Sequence, residues 1–170
     1  SETIDHHRRR FLGTAAIAVA TTQLGVISAA DAQPGMTNTV KLPTLKPGTN
    51  TSFGTLKQID AGMLNVGYAE GGPADGPSVI LLHGLPYEIH SYVDVAPLLA
   101  SAGYRVIVPY VRGCGTTRFL SNATARNGQQ AVVAVDVIDF MDALKIEKAI
   151  LGGYDWGART AAIIAALWPE

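Results

Sequence analysis

Apolar residues in this chain form short continuous runs and longer stretches with a repeat near four, and the two kinds alternate. Residues 79–82 (Val-Ile-Leu-Leu) and 106–108 (Val-Ile-Val) are continuous, as expected for strands buried on both faces. Between them Tyr92, Val95, Ala96 and Leu99 stand at i, i+3, i+4 and i+7, which predicts a helix, with Gly103 placed to cap its C-terminus. Residues 129–144 repeat the helical spacing: Val133, Val137, Phe140, Met141 and Leu144 share one face, while Asp136 and Asp139 fall on another, expected to be solvated. A third apolar run at 149–152 leads to residues 158–168, which are apolar nearly all round and so expected to be buried between neighbours. Ahead of these, residues 53–59 and 63–69 alternate loosely around Asp60-Ala61-Gly62, which predicts a hairpin, and 71–77 reads as a loop. Hairpin, strand, helix, strand, helix, strand, helix implies an α/β fold built on a mostly parallel, doubly wound sheet.

The N-terminus departs from this alternation. His-Arg-Arg-Arg-Phe-Leu-Gly at 7–13 precedes a moderately apolar stretch at 14–30, and Ala30-Asp31-Ala32 offers a small-x-small cleavage site. Arg8, Arg9, Phe11 and Leu12 resemble the core of a bacterial twin-arginine export signal, and the Ala/Thr/Gly-rich middle is less apolar than a membrane anchor requires. The expected organisation is an export signal peptide at 1–32, a flexible Pro/Gly/Thr/Asn-containing leader at 33–51 and a domain at 52–170. The signal resemblance implies the export machinery as a partner, a periplasmic or secreted destination, and no stable membrane insertion after cleavage.

Composition narrows the function classes. With 170 residues, 48% hydrophobic and 16% charged, the chain has enough apolar material for one substantial core. Thirteen Lys and Arg against 14 Asp and Glu leave a net charge of −1, and no basic run lies beyond the N-terminus, so nucleic acid is not expected as a partner. The single cysteine, Cys114, excludes an internal disulfide framework, and no Cys/His pair has zinc spacing; neither a metal nor an organic cofactor is implied.

In a doubly wound sheet the ligand crevice lies beyond the C-terminal ends of the strands, so the residues that follow each apolar run carry most information. These are His83-Gly84-Leu85-Pro86, then Pro109-Tyr110-Val111-Arg112-Gly113-Cys114-Gly115, then Gly153-Tyr154-Asp155-Trp156-Gly157. The last is a Gly-x-Asp-x-Gly frame at a strand-to-helix junction, a nucleophile elbow carrying a carboxylate, in which Gly153 and Gly157 let the chain turn sharply. A carboxylate there attacks saturated carbon and forms an alkyl ester that water must open. The plainer alternative is that Asp155 caps the following helix. His83 directly follows a strand and is expected to be a structural hydrogen-bonding residue; His90 is expected near the start of the first helix. Cys114 and Arg159 are expected to be structural. Residues 152–160 have phosphate-loop glycine spacing, but Ala158-Arg159 replace Gly-Lys and a carboxylate occupies the phosphate position, which excludes that reading.

Taken together, His-Gly-Leu-Pro, Arg-Gly-Cys-Gly and Gly-Tyr-Asp-Trp-Gly resemble the His-Gly-x-Pro, Gly-x-Gly and Gly-x-Asp-x-Gly motifs of alpha/beta-hydrolase-fold epoxide hydrolases, over about residues 53–170. The resemblance implies Asp155 as the nucleophile, the backbone N–H groups of Leu85 and Trp156 as an oxyanion hole, and His83, Gly84 and Pro86 as the oxyanion-loop motif, with Pro86 shaping that loop through a cis bond. It implies opening of an epoxide to a vicinal diol through an aspartyl ester, with a small apolar epoxide or halogenated substrate, and water, as partners. The family continues with further strands, a helical cap, an acid and a histidine base, none of which follows the elbow helix here. The sequence is therefore expected to be the N-terminal part of such a hydrolase, incomplete or a fragment, and unable alone to complete turnover.

Two alternatives remain. Haloalkane dehalogenases share Asp-Trp at the elbow but place Asn after His-Gly, where this chain has Leu85. Haloacetate dehalogenases place Arg after the nucleophile, where this chain has Trp156, although Arg159 matches their second arginine. A non-catalytic truncated fragment lacking the histidine base is the alternative from another class.

Overall fold

The computed structural model describes residues 50–169, all within one compact unit, Thr39–Glu170. The expected signal at 1–32 and all but the last two residues of the leader lie outside the described residues.

The hairpin forms between β1 (Lys57–Ala61) and β2 (Leu64–Gly71), paired antiparallel around Gly62, whose φ of +55° is a conformation glycine adopts without strain. β3 (Ser78–Leu82), β4 (Arg105–Pro109) and β6 (Ile150–Gly153) run parallel to one another, and the sheet order is β1-β2-β4-β3-β6. A two-residue strand absent from the sequence expectation, β5 (Arg118–Phe119), pairs with β2. Because β2 is antiparallel to β1, β4 and β5, it is, among the described residues, the one strand that runs against the others. The alpha/beta alternation and the mostly parallel sheet expected from the sequence are both present.

Period-two alternation sends neighbouring side chains of the continuous apolar runs to opposite faces. Ile80, Leu82 and Ile107 join Leu64, Val66 and Tyr68 of β2 on one face, under α2 (Gln130–Ala143) and α3 (Trp156–Leu167). Val79, Leu81, Val106 and Val108 face the other way, under Ile89, Tyr92 and Ala96. These last three straddle a 3₁₀ turn (Ile89–Tyr92) and α1 (Val95–Ser101). Phe140 of α2, 1% exposed, packs edge-on to Tyr68 with ring centroids 5.2 Å apart. A fully buried side chain of this kind stabilises the fold by about 1.5–3 kcal/mol.

Three expectations change in detail. Val95 is exposed and does not share the buried face of Tyr92 and Ala96, because the 3₁₀ turn has three residues per turn and shifts the helical phase between them. α3 buries Gly157, Thr160 and Ile164, while Ala158, Ala162, Ala165 and Leu167 are exposed: one face of this alanine-rich helix meets the sheet and α2. Asp136 and Asp139 of α2 are not a solvated face. Asp136 is 8% exposed and half-buried Asp139 lies against the hairpin turn, where a Cβ on Gly62 would stand 2.0 Å from its Oδ2.

Candidate active site

The three parallel strands end at a common edge, and each hands over to one of the expected motifs. β6 enters the elbow directly. Asp155 sits at φ 49°, ψ −119°, a left-handed conformation unfavourable for a residue with a Cβ. The turn is closed by Gly157 N–H donating to Tyr154 O at 2.9 Å and by Arg159 N–H donating to Asp155 O at 3.2 Å. Its glycines are sterically required. A Cβ on Gly157 would lie 2.0 Å from the Leu82 carbonyl oxygen, and one on Gly153 would lie 2.6 Å from Gly157 carbonyl carbon.

β3 delivers the His83-Gly84-Leu85-Pro86 loop, the oxyanion loop of the resemblance, to the same point. The Leu85–Pro86 peptide bond is cis, and Leu85 N–H donates to Asp155 Oδ2 at 3.1 Å. A Cβ on Gly84 would lie 2.6 Å from Asp155 Cβ, so only glycine lets the loop approach this closely. The Asp155 carboxylate is held below the usual aspartate range, first by the Leu85 N–H, then by the Trp156 N–H, with a smaller contribution from the positive charge of Arg159. The side chain forms no helix-capping hydrogen bond, which removes the capping alternative as an account of its placement. It is exposed, and Oδ2 is the oxygen on the Leu85 N–H.

His83 is fully buried. Its Nε2 accepts from Val111 N–H at 3.2 Å and its Nδ1 faces Gly84 O at 3.0 Å, so both ring nitrogens are engaged, and the first bond ties the end of β3 to the segment after β4. A structural role is what its position after a strand suggested. His90 pairs instead with Glu88, at 2.7 Å, in the 3₁₀ turn.

The segment after β4 is architectural. Gly113 and Gly115 have φ of +79° and +49°, and a Cβ on Gly115 would lie 2.2 Å from the Tyr110 ring. Arg112 forms a bidentate pair with Asp136, Nε to Oδ2 at 2.5 Å and Nη2 to Oδ1 at 2.6 Å, and its Nη1 donates to Asn127 O at 2.8 Å. Burial and the nearby Glu88 carboxylate push the Cys114 thiol up, which keeps it protonated and unreactive at neutral pH. Arg159 is exposed and acts on the site through its charge. Among the described residues no group of three or more His, Cys, Asp or Glu could hold a metal ion.

The sequence did not single out Ser91, Tyr92 or the side chain of Tyr154, which meet beside the elbow: Ser91 Oγ and the Tyr154 hydroxyl lie 2.8 Å apart. Only the apolar spacing of Tyr92 was visible.

Residues 77–170 match the model of the alpha/beta hydrolase fold. The chain belongs to that family. Within it, an epoxide hydrolase of Caballeronia sordidicola is 32% identical over 122 residues, covering 72% of this chain and 36% of the relative. A haloalkane dehalogenase of Mycobacterium marinum is 33% identical over 111 residues, covering 63% of this chain and 35% of the relative. The crystal structure of a provisionally named epoxide hydrolase from Klebsiella pneumoniae superposes with a TM-score of 0.68 at 63% identity, covering 69% of this chain and 39% of that one. The chain thus spans about a third of the length of the curated relatives it matches. Its described part is the N-terminal portion of the hydrolase fold, with the elbow and the His-Gly-Leu-Pro loop in contact.

Proposed function

We propose that this hydrolase-fold chain carries the nucleophile of an epoxide hydrolase, with Asp155 forming an alkyl ester. The observation that carries the reading is the exposed Asp155 carboxylate with Oδ2 on the Leu85 N–H at 3.1 Å. In this arrangement Oδ1 attacks a ring carbon, the carbon–oxygen bond of the epoxide breaks, and its oxygen leaves as an alkoxide that takes a proton. The ester carbonyl oxygen stays where Oδ2 is now. When water adds to the carbonyl carbon, the negative charge develops on that oxygen, against the Leu85 N–H already aimed at it. The ester then releases the diol and the carboxylate re-forms.

Hydrolysis of the ester needs a base to take a proton from water. Among the described residues neither histidine suits: His83 has both nitrogens engaged and His90 faces Glu88. The base of the proposed reaction lies outside the described residues. The proposed substrate is a small apolar epoxide.

The 33% identity to the Mycobacterium marinum haloalkane dehalogenase favours one second reading, the same carboxylate displacing a halide. Leu85 weighs against it, since its side chain supplies no N–H donor for a departing halide. The test is to present the full-length protein with an aryl epoxide and with a chloroalkane of similar size. Conversion of the epoxide to diol without halide release supports the first reading; halide release without diol replaces it with the second. Export belongs to the proposal as well: periplasmic protein whose first residue is Gln33 would support it, and uncleaved cytoplasmic protein would oppose it.

A further inference from the structure

The residue ahead of Asp155 is held by more contacts than Asp155 itself. The Tyr154 hydroxyl shares a 2.8 Å hydrogen bond with Ser91 Oγ, and its ring lies 5.8 Å from that of Tyr92, tilted by 54°. The ring edge rests on the oxyanion loop so closely that a Cβ on Gly84 would fall 3.0 Å from Tyr154 Cε2. Tyr92 donates its hydroxyl to the Leu82 carbonyl at 2.9 Å, and the same carbonyl accepts the Tyr154 N–H at 3.4 Å. Burial pushes the Tyr92 hydroxyl up to about 12, so it remains a donor across the working pH range. The end of β3, the turn that follows the oxyanion loop and the elbow are therefore joined at one tyrosine.

A strained backbone persists only where its surroundings over-determine it, and Asp155 at φ 49°, ψ −119° is strained. The bond from Leu85 N–H to Asp155 Oδ2 links two segments 70 residues apart in sequence, just beyond the last β3–β6 pair, Leu82 with Gly153. The Ser91–Tyr154 bond links the same two segments, 63 residues apart, alongside it. A displacement of about 1 Å between catalytic groups is enough to slow a reaction by about 10²-fold.

We propose that Tyr154 and Ser91, braced by Tyr92, are positioning residues that set the distance between the Asp155 carboxylate and the Leu85 amide. The kinetic consequence rests on Asp155 being the nucleophile; the geometric one does not. Neither hydroxyl touches the carboxylate, so removing one changes the site only by letting the elbow and the oxyanion loop move apart.

The experiment uses the full-length protein with Tyr154→Phe, Ser91→Ala, the two combined, and Ser91→Thr. Two quantities are read: the titration midpoint of Asp155 by carbon NMR of labelled carboxylates, and the rate and substrate dissociation constant of ester formation with an aryl epoxide in a single turnover. Each hydroxyl deletion should raise the Asp155 midpoint toward the ordinary aspartate value. Each should slow ester formation about tenfold while leaving the dissociation constant within about twofold. The double variant should be no slower than either single one, because both remove the same bond, and Ser91→Thr should restore both readouts. An Asp155 midpoint unchanged in both single variants, or losses that multiply in the double variant, would overturn the brace. If the wild-type protein forms no ester, the epoxide reading fails by itself and the titration still decides the brace.

Discussion

Asp155 and Asp136 are both carboxylates that meet the segments leaving the parallel strands, and their surroundings are opposite in kind. Asp136 is buried, and both its oxygens are taken by the guanidinium of Arg112, itself only 6% exposed in its side chain. Asp155 is exposed and held through the backbone N–H groups of Leu85 and Trp156, with Oδ2 on Leu85. A buried bidentate guanidinium engages both oxygens of a carboxylate and closes it off, whereas backbone donors on an exposed carboxylate leave it approachable. The first arrangement fixes a helix to a loop; the second suits the nucleophile proposed here.

Exchanging charge for amide at each position should separate the two roles most strongly. Asp155→Asn should slow ester formation by roughly 10⁴-fold or more while shifting the melting temperature by no more than a few degrees, because the side chain is exposed. Asp136→Asn should do the reverse. It leaves the buried Arg112 without a counter-charge and should destabilise the domain by about 3–5 kcal/mol in denaturant titration, with the ester chemistry of the folded fraction unchanged. If Asp136→Asn abolished ester formation in folded protein, the separation of roles would be wrong.

Gly157→Ala probes the steric side of the elbow. Its new Cβ would meet the Leu82 carbonyl oxygen at 2.0 Å, so the turn must open, at a cost of roughly 3 kcal/mol or more. Unaltered stability would mean that the elbow can relax, and that the glycine frame is not what holds Asp155 in place. A smaller effect is expected at Phe119, whose ring lies under the guanidinium groups of Arg126 and Arg112, at 3.9 Å and 5.6 Å from its centroid. Phe119→Leu keeps most of the apolar bulk and should lose about 0.5–2 kcal/mol, the range of a cation–π contact. No loss would show that Arg112 is held by Asp136 and Asn127 alone.

The smallest expected effect is on pH dependence. Asp155 is depressed in the folded protein, so its ionised form persists below the ordinary aspartate value of about 3.9. Ester formation should therefore stay level as pH falls through that value and drop only below it, within the range where the fold survives. The linked stability has the same sign: present above the unfolded value and lost as pH falls through the folded one. A midpoint at or above the ordinary value would contradict the amide contacts to the carboxylate.

The parts of this molecule that were readable in the sequence are those with a local cause. Val79 to Leu82 and Val106 to Val108 read as strands because burial on both faces leaves no polar position, and the elbow reads from glycines that its own turn requires. What was unreadable depends on partners far along the chain. Asp136 looked like a solvated charge because its spacing on α2 carries no trace of Arg112, 24 residues earlier. Ser91 and Tyr154 become neighbours only when β3 and β6 pair. β5 has two residues, too few to make a pattern, and the phase of Val95 was set by a 3₁₀ turn that apolar spacing does not register.

Oxygen transfer tests the central assignment most directly. A single turnover of an aryl epoxide by excess full-length protein in heavy-oxygen water should give unlabelled diol and a heavy Asp155 peptide, because the diol takes its new oxygen from the carboxylate and water repairs the aspartate. Heavy diol with an unlabelled Asp155 peptide would mean that water attacks the epoxide directly and that Asp155 is not the nucleophile.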